Sequence, residues 1–216
     1  MDKNKSYAVF GLGRYGRAVA KELAAAGADV LAVDKDESIV NAAASEIPFC
    51  KCADVTDPDV IRRLGIADID VVIIAIAAGL ETSVMATMLC KEAGAGKVIV
   101  KCSSEINCRI LSRVGADVVV VPEYESGVRL ARNLLSSGIM EYIELSDDFS
   151  MVELHMQDKW KGKSLIELDL RRKHSINVVA TIKDDDVCVN PDPEKPLEDS
   201  MRLIVIGKID AIEKLR

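Results

Sequence analysis

Gly11, Gly13 and Gly16 spell G-x-G-x-x-G, with Leu12, Arg14 and Tyr15 filling the loop. Such a loop works through its backbone. The first glycine turns the chain, the second lets N–H groups approach a phosphate, and the third lets the following helix lie close on the preceding strand. The positive end of that helix then favours the phosphate charge. Asp34 lies eighteen residues beyond Gly16, at the end of a second apolar run. A carboxylate there accepts hydrogen bonds from ribose hydroxyls and repels a 2′-phosphate, which points away from NADP. Arg14 sits inside the loop, where a cation reaches terminal phosphates. Lys35 and Asp36 follow Asp34. Asp54 and Val55 end the third apolar run, on the side where the adenine falls, and Ala75 and Ile76 end the fourth. All these strand ends are expected to line one nucleotide site.

The residues that would turn binding into catalysis are missing. A dehydrogenase needs a substrate domain and a proton-transfer residue beside the nicotinamide. The two histidines, His155 and His174, read as surface residues with no evident catalytic partner. There is no nucleophile elbow, P-loop lysine or zinc pattern. Cys50 and Cys52 form a C-x-C without a second pair, and the six cysteines read as reduced, small apolar residues. The expectation is a protein that binds a nucleotide without transforming it.

These residues are spaced along a regular alternation of elements. Apolar runs at Tyr7–Phe10, Val30–Val33, Phe49–Ala53, Val71–Ile76, Val98–Lys101 and Val118–Val121 read as strands. Helical segments separate them, over Arg17–Ala26, Ser38–Glu46, Pro58–Leu64, Thr82–Ala93 and Glu105–Val114. Asp57 before Pro58 reads as an N-cap with proline in the first turn. A helix over Glu125–Leu135 follows, ended by Ser136-Ser137-Gly138. The fold class is α/β, a Rossmann-like doubly wound parallel sheet. Hydrophobic residues make up 49% of the chain and aromatics 4%, as suits aliphatic strands buried on both faces.

After Gly138 the pattern changes. Val152, Leu154 and Met156 alternate with polar residues, and Ser164 with Glu167 has capping-box spacing. Strands are expected over Asn177–Ile182, Val187–Asn190 and Leu203–Ile206, with a hairpin turn at Asp184–Asp186. Residues 1–138 therefore read as a nucleotide-binding domain and 139–216 as a small α+β lobe. The net charge of −7 disfavours nucleic acid. Val71–Leu80, the longest uncharged apolar stretch, is half of what a membrane span needs, and the first residues carry no signal-peptide core. A soluble, cytosolic protein is the expectation.

The GLGRYG loop, Val30-Leu31-Ala32-Val33-Asp34, Gly65-Ile66 before Val71–Ile76, Ile99-Val100-Lys101, Gly115-Ala116-Asp117 through Val121-Pro122-Glu123, and Tyr142 through Leu154 together resemble the RCK (KTN) domains of KtrA- and TrkA-type potassium uptake regulators. The resemblance spans essentially the whole chain, as an RCK N-lobe followed by an RCK C (TrkA-C) lobe, and is nearest to the KtrA type. It implies a non-catalytic, cytoplasmic gating subunit that forms homodimers and then an octameric ring. That ring would lie at the inner face of the plasma membrane, under a potassium-translocating subunit of KtrB or TrkH type.

The resemblance also implies ligands. ATP or ADP, alternatively NAD(H), would occupy the N-lobe, with Arg14 on distal phosphates, Asp34 on the ribose, Asp36 at an adenosine-contacting position and Lys101 near the phosphates. Glu123 would stand at the dimer interface and help hold a cation (Mg, Ca or Na) beside the nucleotide. In the C-lobe, Arg171, Ile176, Asn177 and Val178 match positions that contact cyclic di-AMP, although Arg171-Arg172-Lys173-His174 also reads as a plain basic surface run. The chain departs from the family at His174-Ser175, where an aromatic–glycine pair is more usual. Two other readings stand beside this one: an NAD(H)-tuned regulatory subunit of a Trk-type transporter, and a small NAD-dependent oxidoreductase completed by a partner chain.

Overall fold

The computed structural model describes residues 5–76, 79–135, 139–146 and 148–215. By internal contacts the chain divides into two compact units, Met1–Glu123 and Tyr124–Arg216. The segments Met1–Asn4 and Ser136–Gly138, read above as a polar start and a helix end, lie outside the described residues, as does Asp147.

The first unit alternates strand and helix: β1 (Ser6–Phe10), α1 (Arg14–Ala25), β2 (Asp29–Asp34), α2 (Glu37–Ala43), β3 (Phe49–Cys52), α3 (Pro58–Arg63), β4 (Val71–Ile74), α4 (Leu80–Glu92), β5 (Lys97–Lys101), α5 (Glu105–Val114) and β6 (Val118–Val120). The strands lie in the order β3-β2-β1-β4-β5-β6. Every pairing is parallel, as the aliphatic runs foretold. Ala8, Phe10, Val72, Ile74, Val98 and Val100 pack one face of the sheet, and Val9, Val30, Ala32 and Ile73 the other. Because consecutive strands depart from β1 in opposite directions, a crevice opens at the carboxyl ends of β1 and β4. This is where doubly wound sheets take their ligands.

Local signals set the helix ends. The Asp57 side chain accepts from the Asp59 N–H and Pro58 occupies the first turn of α3. The Ser104 side chain caps α5 by accepting from the Asn107 N–H. Three boundaries depart from expectation. Helix α1 begins at Arg14 because Gly13 is its N-cap, so Arg14 and Tyr15 belong to the helix rather than the loop. Strand β4 stops at Ile74, leaving Ala75 and Ile76 to line the crevice. Pro122 starts α6 (Pro122–Leu135) instead of merely closing β6, since proline suits a first helical turn.

The second unit is built on an antiparallel sheet with strand order β10-β9-β11-β8-β7. Its strands are β7 (Ile139–Glu144), β8 (Phe149–His155), β9 (Ile176–Lys183), β10 (Asp186–Cys188) and β11 (Arg202–Lys208). Short helices α7 (Leu165–Leu168), α8 (Leu170–His174) and α9 (Ile209–Glu213) complete it. The expected capping box forms: Ser164 Oγ accepts from the Glu167 N–H, and the Glu167 carboxylate accepts from the Ser164 N–H. Asp184 and Asp185 turn the β9–β10 hairpin with φ of 49° and 65°. Trp160, Ile176, Leu203 and Val205 anchor its core. Among the described residues, no helix is long and apolar enough to cross a membrane.

Candidate functional site

The glycine loop takes its shape from two close approaches. Gly11 has φ of +89°, and its N–H donates to the Val33 carbonyl at 2.8 Å. A Cβ on Gly16 would lie 1.9 Å from the Gly11 carbonyl oxygen, so only glycine lets α1 sit this close to β1. Gly13 is different, because a Cβ there would meet no protein atom within 4 Å. The space beside it is part of the crevice. The far side of α1 is fastened by Arg17, whose guanidinium donates to the Glu46 carboxylate at 2.8 Å and to the Ala42 carbonyl at 3.0 Å.

Asp34 closes the loop from the next strand. Its carboxylate accepts from the Leu12 N–H at 2.6 Å and from the Asp36 N–H at 3.0 Å. Each oxygen retains lone-pair capacity for a further donor. Asp36, two residues past the end of β2, and Asp54, two residues past the end of β3, repeat the motif. Asp36 accepts from the Ser38 hydroxyl at 2.6 Å and N–H at 2.8 Å, capping α2. Asp54 accepts from the Thr56 hydroxyl at 2.7 Å and N–H at 2.9 Å. These side-chain hydrogen bonds, ahead of the backbone ones, hold both carboxyls below their ordinary range and keep them ionised.

A cavity of about 220 Å³ fills the crevice, lined by Gly11, Gly13, Asp34, Lys35, Asp54, Val55, Ala75 and Ile76. All eight are expected site residues. Val33, Ile39, Ala53 and Thr82 also line it and were missed. Three of them are apolar residues, in β2, in α2 and just past the end of β3, indistinguishable by type from core, and Thr82 lies in the first turn of α4. A second cavity of about 190 Å³ lies on the other side of Ile76, lined by Leu80, Ser83, Lys101, Cys102, Ser103 and Asn107 among others. Ile76 is common to both, so the crevice has two compartments at the switch point of the sheet.

Lys101 connects this second compartment to the loop. Its ammonium lies 5.7 Å from the centre of the Tyr15 ring and 2.6 Å from the Glu123 carboxylate, with only 17% of the side chain exposed. The Lys101 hydrogen bond, helped by the nearby charge of Arg14, keeps the Glu123 carboxyl below its usual range. Arg14 itself is exposed at the start of α1. Arg14, Tyr15, Lys101 and Glu123 thus converge from three elements. No group of three His, Cys, Asp or Glu able to hold a metal occurs among the described residues. Glu123, expected beside a cation, has a lysine ammonium against it in this chain.

The four second-ligand residues lie in the other unit. Arg171 and Asn177 are exposed, Val178 is half-buried, and Ile176 is wholly buried. Ile176 packs in the core of this unit. Ser175 adopts φ of 56° and caps α8, its N–H donating to the Arg171 carbonyl at 3.1 Å. The turn thus keeps the left-handed geometry that a glycine would favour.

The cysteines need a correction. Cys102 and Cys108 are joined as a disulfide, with Cα atoms 5.7 Å apart, because the turn into α5 folds strand end and helix together. Cys50, Cys52, Cys90 and Cys188 are free, and Cys52 and Cys188 are exposed rather than buried. Cys90 fits the apolar reading, its thiol pushed up to about 12 by burial. His155 is exposed, as expected, but His174 is half-buried.

Comparison with known proteins places these features. The TrkA-N domain model matches residues 7–122 and the TrkA-C domain model residues 149–216. Ktr system potassium uptake protein C of Bacillus subtilis is 36% identical over 210 residues, covering 97% of this chain and 95% of that protein. Ktr system potassium uptake protein A of Vibrio alginolyticus is 35% identical over 209 residues, covering 97% and 95%. Among solved structures, a GsuK channel bound to NAD superposes with a TM-score of 0.66 at 15% identity, over 97% of this chain and 38% of that one. It shares the fold. The NAD(P)-binding domain of an exopolyphosphatase-related protein from Archaeoglobus fulgidus gives 0.54 at 26% identity, over 61% of this chain and 98% of that one.

Proposed function

Because the chain belongs to the Ktr family of potassium uptake proteins, built from a TrkA-N and a TrkA-C domain, we propose that it is a nucleotide-binding, non-catalytic gating subunit of a membrane potassium channel or transporter. The observation that carries the reading is the glycine loop with Asp34 at its side, opening onto a cavity at the switch point of the sheet.

In this reading ATP or ADP lies across the crevice. The Gly11–Gly13 backbone and the start of α1 receive the phosphates. Asp34 holds the ribose, with Lys35, Asp36, Asp54 and Val55 around the adenosine and Ala75 and Ile76 beneath it. Arg14 and Lys101 take the distal phosphates. Glu123, 69% exposed and favoured as a carboxylate, is suited to one ligand position of a Mg, Ca or Na ion. The remaining ligands would come from the nucleotide or a second protomer.

ATP and ADP then bias two shapes of a ring of homodimers, an octamer, by the difference in their affinities for each shape. The ring sits in the cytoplasm under a KtrB- or TrkH-type subunit. Residues 1–138 form the nucleotide lobe, ending with α6, and 139–216 the regulatory lobe. Arg171, Ile176, Asn177 and Val178 are assigned to cyclic di-AMP.

A second reading, NAD(H) in place of ATP, is favoured by one feature: the second compartment beyond Ile76 offers room for a second nucleoside. Mass spectrometry of the nucleotide that co-purifies, followed by equilibrium binding, tests both. Micromolar NADH binding without ATP or ADP binding overturns the preferred ligand, and hydride transfer to any of a panel of small substrates overturns the non-catalytic assignment.

A further inference from the structure

We propose that Cys102 and Cys108 are a reversible thiol–disulfide site that sets the shape of the β5–α5 side of the nucleotide crevice. The inference rests on the cytoplasmic, nucleotide-binding reading above. The two Cα atoms stand 5.7 Å apart, inside the range that a disulfide bridges without moving the backbone. In a reducing compartment such a pair is more often a transient, sensing bond than a structural one.

Position gives the bond something to control. Cys102 directly follows Lys101, and both line the second compartment together with Ser103 and Asn107. Ser104 caps α5 through the Asn107 N–H, and the Asn107 amide donates to Ser103 Oγ at 3.4 Å. The disulfide encloses this whole turn. When it is closed, the end of the Lys101 strand is tied to the first turns of α5. When it is open, the turn is held by these long hydrogen bonds, by the Cys102 N–H on the Val120 carbonyl at 2.9 Å and the Cys108 N–H on the Ser104 carbonyl at 3.0 Å, and by packing, with no covalent tie between strand and helix.

The cysteines differ in access. Cys102 is 5% exposed, whereas Cys108, in the first turn of α5, is only half-buried. Cys108 is therefore the sulfur that a small disulfide meets first, and Cys102 the one that resolves. With oxidised glutathione as oxidant, the Cys108 thiolate attacks one glutathione sulfur, forming a mixed disulfide and releasing one glutathione thiolate. The Cys102 thiolate then attacks the Cys108 sulfur, forming the internal bond and releasing the second. The protein loses two electrons and two protons, and one glutathione disulfide becomes two thiols. Excess reduced glutathione runs the same steps backwards.

The test uses the full chain equilibrated at graded ratios of reduced to oxidised glutathione, then alkylated and read by peptide mass. The expected result is one reversible two-electron transition confined to Cys102 and Cys108. Amides of residues 103–107 should exchange more slowly in the oxidised form, and ATP or ADP affinity should differ between forms by about fivefold or more. Cys108→Ser, with Cys108→Ala as a second variant, should abolish the transition and hold affinity at the reduced value in both buffers. The proposal is overturned if both cysteines alkylate fully in excess oxidised glutathione. It is equally overturned if the bond resists reduction until the chain unfolds, or if affinity stays within twofold across the transition. If no nucleotide binds in either form, the proposed ligand has failed instead. The inference is then decided by the transition and the amide exchange, and unchanged exchange across the transition overturns it.

Discussion

Replacing Gly16 by alanine places a methyl carbon 1.9 Å from the Gly11 carbonyl oxygen and 3.0 Å from Ala75 Cβ. The first neighbour is backbone, so no rotamer change relieves the clash. Helix α1 must retreat from β1 by more than about 1 Å, carrying Gly13 and Arg14 with it. Overpacking of this kind costs about 1–3 kcal/mol, or roughly 3–10 °C in the unfolding of the first unit. Gly13→Ala is the matched control. Gly13 has φ of −64°, open to any residue, and no protein atom lies within 4 Å of the added carbon. Its stability should stay within about 0.5 kcal/mol of the parent, as for a substitution that touches nothing. The methyl would, however, stand where a phosphate needs to approach the backbone, so nucleotide affinity should fall roughly tenfold or more, about 1.4 kcal/mol. Thermal unfolding and isothermal titration with ATP and ADP separate the two effects. The reasoning is refuted if Gly13→Ala melts as low as Gly16→Ala, or if it binds both nucleotides as the parent does.

Further predictions follow from neighbouring geometry. Arg14→Ala should weaken ATP more than ADP, by roughly tenfold for a lost charge-assisted phosphate contact. Equal losses would remove Arg14 from the terminal phosphate. Ser38→Ala removes the hydroxyl that does most to depress the Asp36 carboxyl, so the NMR titration of Asp36 should move up toward 3.8. Asp36 and Asp54 both titrate lower folded than unfolded, so their contribution is fully present above pH 3.8 and is lost as pH falls through their folded values. Unfolding followed by pH should therefore show a flat neutral range in this respect and a decline only in acid. Ser175→Gly should stabilise the second unit by about 1 kcal/mol, since Ser175 holds φ of 56°. A neutral or negative change in urea unfolding would count against strain at that turn.

Much of the first unit was legible because its signals are local. The glycine spacing and the Asp57-Pro58 pair act within a few residues, as the Ser164–Glu167 box does in the second unit, and Asp34 is marked by its fixed distance from the glycines; each forms in the structure. What stayed hidden depends on contacts between distant segments. The apolar run Val71–Ile76 gives no reason to stop at Ile74, yet Ala75 and Ile76 leave the sheet to wall the crevice. Strand β7, Ile139–Glu144, breaks simple alternation in the sequence Ile-Met-Glu-Tyr-Ile-Glu, so it carries no period-two signal. The strand expected from Asn177 begins one residue earlier, because the β9–β11 pairing takes in Ile176 and buries it against Gly207. The Lys101–Glu123 pair joins β5 to α6, and the Cys102–Cys108 bond joins a strand to a helix. Neither pairing has a sequence period that would announce it.

Asp34 holds the glycine loop before any ligand arrives. With the Leu12 and Asp36 N–H groups already on its carboxylate, the loop does not have to be ordered by the nucleotide. A flexible loop would surrender roughly 1–2 kcal/mol of backbone freedom per residue at the moment of binding. Here that loss is met during folding, and the ligand finds a rigid receiver. The free energy of nucleotide contact is thus not dissipated in shaping its own cradle. It can be directed outward, to whichever arrangement of the rest of the molecule fits one nucleotide better than another. In the proposed gating role, a stiff receiver of this kind would convert a difference of a single phosphate into a mechanical preference.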